Sequence, residues 1–136
     1  MRFYQRLDHV SHDKSDDTLL ITCTQGAEHK PALWIGREGM YVSVSATYGP
    51  LEVALRPHQR DLQMSLAELR PTARLSAMRV VGTGQANLEL GLSNEGELLF
   101  RVTIVADATG YLAMNMVLTS EVRQALLAWL AIADDT

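Results

Sequence analysis

Asp8, His9, His12, Asp13, Asp16 and Asp17 form the densest group of chemically able side chains in the sequence. Imidazole nitrogens and carboxylate oxygens both ligate metals. His-x-x-His, however, puts two imidazoles on one face only in a helix, and Asp13-Lys14-Ser15-Asp16-Asp17 has the composition of a loop. No third ligand follows at a recognisable spacing, so no metal is expected. Cys23, the single thiol, lies in the strand-like run Leu19 to Thr24, with no helix start behind it to lower its pKa. That context points to a core cysteine rather than a nucleophile. His58 follows Pro57 at the start of a predicted helix, where a neutral imidazole suits a capping role and a protonated base is disfavoured. His29 stands alone. The dinucleotide, phosphate-loop, nucleophile-elbow and zinc-protease motifs are missing, and Gly82-Thr83-Gly84 reads as a hairpin turn because no helix follows it. Neither an enzyme nor a cofactor is expected.

Binding chemistry is more plausible on composition. Trp34 and Tyr41 flank Arg37 and suggest a stacking platform, to which Arg56, Arg60 and Arg101 would add charge. Against this, the preference of aromatic side chains for burial favours Trp34 as a filler of the sheet–helix core. Arg56, Arg60, Arg70, Arg74 and Arg79 face only Asp61 and Glu68 in sequence. Such a cluster suits carboxylate or phosphate contacts, the acidic part of a second copy, or simple solvation. Net charge runs from -1 over residues 1–31 to +2 over 32–86 and -5 over 87–136, within a total of -4.

The elements that position these residues follow from periodicity. Leu98, Phe100, Val102 and Ile104 alternate with Leu99, Arg101, Thr103 and Val105, the pattern of a strand buried on one face. Leu51, Val53 and Leu55 alternate with Glu52 and Arg56, and Leu88, Leu90 and Leu92 with Glu89 and Gly91. Gly39, Gly49, Gly84, Gly96 and Gly110 sit where hairpin turns call for positive φ. Thr119 or Ser120 begins a helix whose stripe is Val122, Leu126, Trp129 and Leu130; Pro57 begins a shorter one carrying Leu62, Leu66 and Leu69.

An internal echo organises the whole. Leu33 to Leu69 reads as strand, turn Gly36–Gly39, strand, turn Tyr48-Gly49-Pro50, strand, helix. Leu88 to Leu130 repeats it with turns Ser93–Gly96 and Ala108-Thr109-Gly110. One more strand, Leu19 to Thr24 or Leu75 to Val81, precedes each copy. The expected fold is α+β: one domain of an N-terminal arm, 1–17, and two antiparallel ββββα units, 18–71 and 72–136, packed about a pseudo-twofold axis. Glu52, Arg56, Glu89, Arg101 and Thr103 would lie on an exposed outer face. One continuous eight-stranded sheet with both helices on one side is the alternative.

This doubled order, with Met114–Val122 running from strand into capped helix, resembles the Whirly single-stranded-DNA-binding proteins. The resemblance implies crossed sheets around a helical hub; the lysine-rich strand motif of those proteins has no counterpart here. The order is also similar to small bacterial immunity proteins, whose acidic surfaces steer them to basic partners.

The chain has 136 residues, 47% of them hydrophobic and 21% charged, the balance of an ordinary globular domain with one core. No apolar run nears the roughly 18 residues that span a bilayer, and no secretory leader is read at the start. The expectation is a small cytoplasmic, non-enzymatic binding or regulatory protein acting on a protein partner, with homodimerisation a separate expectation. Single-stranded nucleic acid on an Arg/aromatic sheet face is the alternative, and the net charge counts against it. A small-ligand pocket between sheet and helix is a third.

Overall fold

The computed structural model describes residues 4–25, 30–71, 79–82, 85–107 and 109–132. His29, Arg74, Leu75–Met78, Thr83, Gly84 and Ala108 lie outside the described residues. The elements are β1 (Gln5–Leu7), β2 (His9–Asp13), β3 (Thr18–Thr22), β4 (Ala32–Glu38), β5 (Tyr41–Tyr48), β6 (Leu51–Leu55), α1 (Gln59–Ala67), β7 (Arg79–Val81), β8 (Ala86–Leu92), β9 (Leu98–Asp107), β10 (Gly110–Leu118) and α2 (Ser120–Ile132). The described residues are mostly β with two helices, in two five-stranded sheets ordered β1-β10-β9-β8-β7 and β2-β3-β4-β5-β6. We call these the first and second sheet. All neighbours are antiparallel except β1, which runs parallel to β10.

The stretch expected to be an arm carries two strands. β1 joins the first sheet, and Leu7 at its end is fully buried. β2 joins the second sheet, and only Asp8 separates the two. Asp8 fastens the crossing point: its backbone N–H donates to Thr22 O at 3.0 Å, and its carboxylate accepts from Thr24 N at 2.8 Å and Thr24 Oγ1 at 2.7 Å. His9 and His12, three apart on a strand, point to opposite faces.

Alternation builds the core. Ile21, Leu33, Ile35, Val42 and Val44 of the second sheet share one hydrophobic cluster with Leu88, Leu90, Leu98, Phe100 and Met116 of the first. The helical stripes join it as expected: Leu62, Leu66 and Leu69 beside α1, and Val122, Leu126, Trp129 and Leu130 on α2, are all buried. Thr119 Oγ1 accepts from Val122 N at 3.4 Å at the start of α2. His58 is the N-cap of α1, its Nδ1 accepting from Arg60 N at 3.3 Å, so the imidazole fills the capping role read for it.

Two turns differ from expectation. The first hairpin closes through Gly39 and Met40 alone, with Glu38 paired to Tyr41, rather than across Gly36–Gly39. Gly39 supplies the required φ of 62°. Gly110 instead opens β10 outside the left-handed region, beside a register shift.

Candidate binding surface

The second sheet presents one uncovered face. Its central row crosses all five strands as Ser11, Leu20, Trp34, Ser45 and Ala54, each opposite the next. Thr18, Gly36 and Ser43 form the row on one side; Thr22, Ala32, Thr47 and Glu52 form the other. Both helical stripes pack on the opposite side of the sheet, in the core. Trp34 is therefore 46% exposed in the middle of a face of mostly small and hydroxyl side chains, with Leu20 opposite it. This corrects the expectation that Trp34 fills the core. The run Ala32-Leu33-Trp34-Ile35 has no polar residue to mark sides, and strand parity gives Leu33 and Ile35 to the interior.

At one end of this face the Arg56 guanidinium carbon lies 5.5 Å from the centre of the Tyr41 ring, while Arg56 Nε pairs with Glu38 Oε2 at 2.8 Å. Tyr41 in turn meets the His58 ring edge-on, with centroids 5.6 Å apart. Behind this trio opens a cleft of about 380 Å³, whose polar lining is Tyr41, Arg56, His58 and Asp61 and whose apolar lining includes Leu55, Pro57 and Val81. No sequence signal marked the cleft, because a backbone bridge between Tyr41 and His58 joins residues from separate elements. Among the described residues the charged side chains at this face include Asp13, Glu38 and Glu52 on its strands and Arg56 just after β6, an acidic balance. Arg60 is exposed on α1, outside the lining of the cleft.

Arg37 goes elsewhere. With β4 continuing to Glu38, parity turns Arg37 to the inner face, where its Cζ lies 3.8 Å from the centre of the Trp129 ring. Its Nη2 donates to Trp129 O at 2.5 Å and its Nε to Asp17 Oδ2 at 2.5 Å. Asp17 Oδ1 also accepts from Trp129 Nε1 and bonds His12 Nε2, both at 3.0 Å. The knot ties the β2–β3 turn, β4 and the last turn of α2 together, and it sets a cation against the negative end of that helix. Arg37 is a structural residue of the core rim, not part of a stacking platform.

Arg101 is also removed from that platform. It was expected on an exposed outer face with Thr103, but each is only 8% exposed. Tyr111 leans back along the first sheet until its ring centre is 5.9 Å from the guanidinium carbon, and Arg101 Nη1 lies 3.2 Å from Glu89 Oε2. Arg101 Nε, Thr103 Oγ1 and Asn115 Oδ1 have no hydrogen-bond partner among the described residues. Of the six residues singled out in the sequence, only Trp34, Tyr41 and Arg56 share a surface. Cys23 is half-buried against the core, its thiol donating to Gln25 O at 3.2 Å.

Three carboxyls are held below their ordinary value of 3.8: Asp8 by the Thr24 hydroxyl and N–H, Asp13 by the Ser15 hydroxyl and N–H, and Asp17 by His12 and then Arg37. A depressed folded-state pKa adds stability that is whole above the unfolded value and fades as pH falls through it. Urea midpoints are therefore expected to hold steady at neutral pH and decline below 3.8, with Asp17→Asn flattening that decline. A midpoint that rises on acidification would contradict it. No family model, curated protein or solved structure matches the chain.

Proposed function

We propose that this chain is a non-enzymatic binding or regulatory protein that docks a protein partner on the open face of its second sheet. The observation that supports this most strongly is Trp34, half-exposed at the centre of five strands, with Tyr41 and Arg56 at one end. Trp, Tyr and Arg are the residues that most often carry interface energy, and small neighbours leave a flat surface around the anchor. We further propose that the sheets and helices are two ββββα units about a pseudo-twofold axis, each extended by one N-terminal strand, and that the chain works as a homodimer.

A photocrosslinking side chain at Ser45, beside Trp34, provides the test. Trp34→Ala is expected to weaken the captured partner by about 30-fold or more. Stability should change by less than about 1 kcal/mol, since the indole faces solvent. Partner affinity unaffected by Trp34→Ala would overturn the reading.

The Trp34–Tyr41–Arg56 grouping also supports a second reading, single-stranded nucleic acid stacked on the aromatics. The acidic balance of the face and the Glu38–Arg56 pair weigh against it. Titrating an oligonucleotide at about 50 mM salt decides: Trp34 quenching with a steep salt slope would favour nucleic acid over a protein partner.

A further inference from the structure

The cleft behind Tyr41 holds two opposite charges that do not meet. Arg56 follows β6 and Asp61 lies in the first turn of α1, and the chain turns at Pro57 to bring both side chains to the lining of one cavity of about 380 Å³. Among the described residues no ion pair joins them. The Arg56 guanidinium meets Glu38 Oε2 through its Nε at 2.8 Å, from outside the cleft. A guanidinium carries further donors on its two terminal nitrogens.

His58 adds a donor whose place is set by the backbone. Its Nδ1 accepts from Arg60 N, so the proton of the neutral ring sits on Nε2. The capping bond and the edge-on contact with Tyr41 hold the ring there. Leu55, Pro57 and Val81, all buried, supply an apolar wall to the same cavity. An apolar lining with a few placed polar groups, in a volume of roughly 300–1,000 Å³, is the usual form of a small-molecule site.

We infer that this cleft binds a free α-amino acid with an aliphatic side chain. The two charges decide the class. A ligand carrying only a carboxylate would face Asp61, and one carrying only an ammonium would face Arg56. A neutral apolar ligand would take water from both groups and replace it for neither. A zwitterion answers both. Its carboxylate accepts from the terminal nitrogens of Arg56 and from His58 Nε2–H, its ammonium donates to Asp61, and its side chain lies against Leu55, Pro57 and Val81. The volume, near the lower end of the usual range, suits a molecule of amino-acid size better than a nucleotide. The inference does not rest on partner docking, and either can fail alone.

Isothermal titration calorimetry on the full chain at neutral pH tests it. The probes are L-leucine, 3-methylbutylamine, which is leucine without its carboxylate, and 4-methylpentanoate, which is leucine without its ammonium. L-leucine is expected to bind with a Kd of about 1 mM or lower, and each analogue at least about tenfold more weakly. Arg56→Gln should weaken L-leucine by about tenfold while sparing the amine; Asp61→Asn should weaken it as much while sparing 4-methylpentanoate. Both side chains are exposed, so folding should survive, and urea midpoints check that. The analogue comparison needs no variant. L-leucine held no better than either analogue would overturn the ligand class. Affinity indifferent to both substitutions would overturn the site, and no binding at about 10 mM L-leucine would overturn both.

Discussion

Replacing Arg37 with methionine is expected to lower stability by about 2–3 kcal/mol, or roughly 7–10 °C in Tm for a chain of this size. The side chain is 18% exposed, which shelters its bond to Trp129 O, while the bond to Asp17 Oδ2 is partly screened because Asp17 is 44% exposed. Methionine keeps much of the stem's packing against the core while removing the guanidinium from the Trp129 ring. The loss is bounded above because Arg37 Nη1 is already buried with no partner among the described residues, a penalty that the neutral side chain relieves. A double-mutant cycle with Asp17→Asn isolates the pair and should give a coupling of about 1–2 kcal/mol. A loss under about 0.5 kcal/mol for Arg37→Met would reduce the knot to a surface ornament.

The larger effect is expected at Phe100, where alanine should cost about 3–5 kcal/mol in urea unfolding with an unchanged m value. Phe100 is fully buried and lies in one inner-face row between Leu90 and Met116, at the centre of the first sheet. Strands on both sides hold its neighbours at fixed spacing, so the vacated volume collapses poorly. Typical domains have only about 5–15 kcal/mol in total, so the variant approaches the limit of folding at physiological temperature. Leu99, one residue away on the other face, should lose no more than about 1 kcal/mol as alanine. Equal losses at both positions would contradict the assignment of faces.

The elements legible in the sequence were those whose signals are local. β9, α2 and the capping His58 follow from alternation, a helical stripe and a proline at a helix start, and each needs only its own residues. The positions of Trp34 and Arg37 depend on where β4 ends. Moving the turn from Gly36–Gly39 to Gly39–Met40 lengthens the strand and sends Arg37 to the core side. Arg101 was correctly read on the outer face, but the burial of that spot depends on Tyr111 reaching back across Ala113, a packing event without a sequence period. β1 and β2 escaped notice because short polar strands carry little pattern, and the partner of β1 lies more than a hundred residues away.

That distance has a consequence for how the protein is made. Gln5 pairs with Met116, yet a ribosome adding roughly 5–20 residues per second delivers the second partner several seconds after the first. Through that interval β2 can already be seated beside β3, and Leu7, one residue before the Asp8 crossing, is left without a place to hide. Nascent chains halted before β10 would therefore hold Leu7 in water, and chains in which that strand has emerged would bury it.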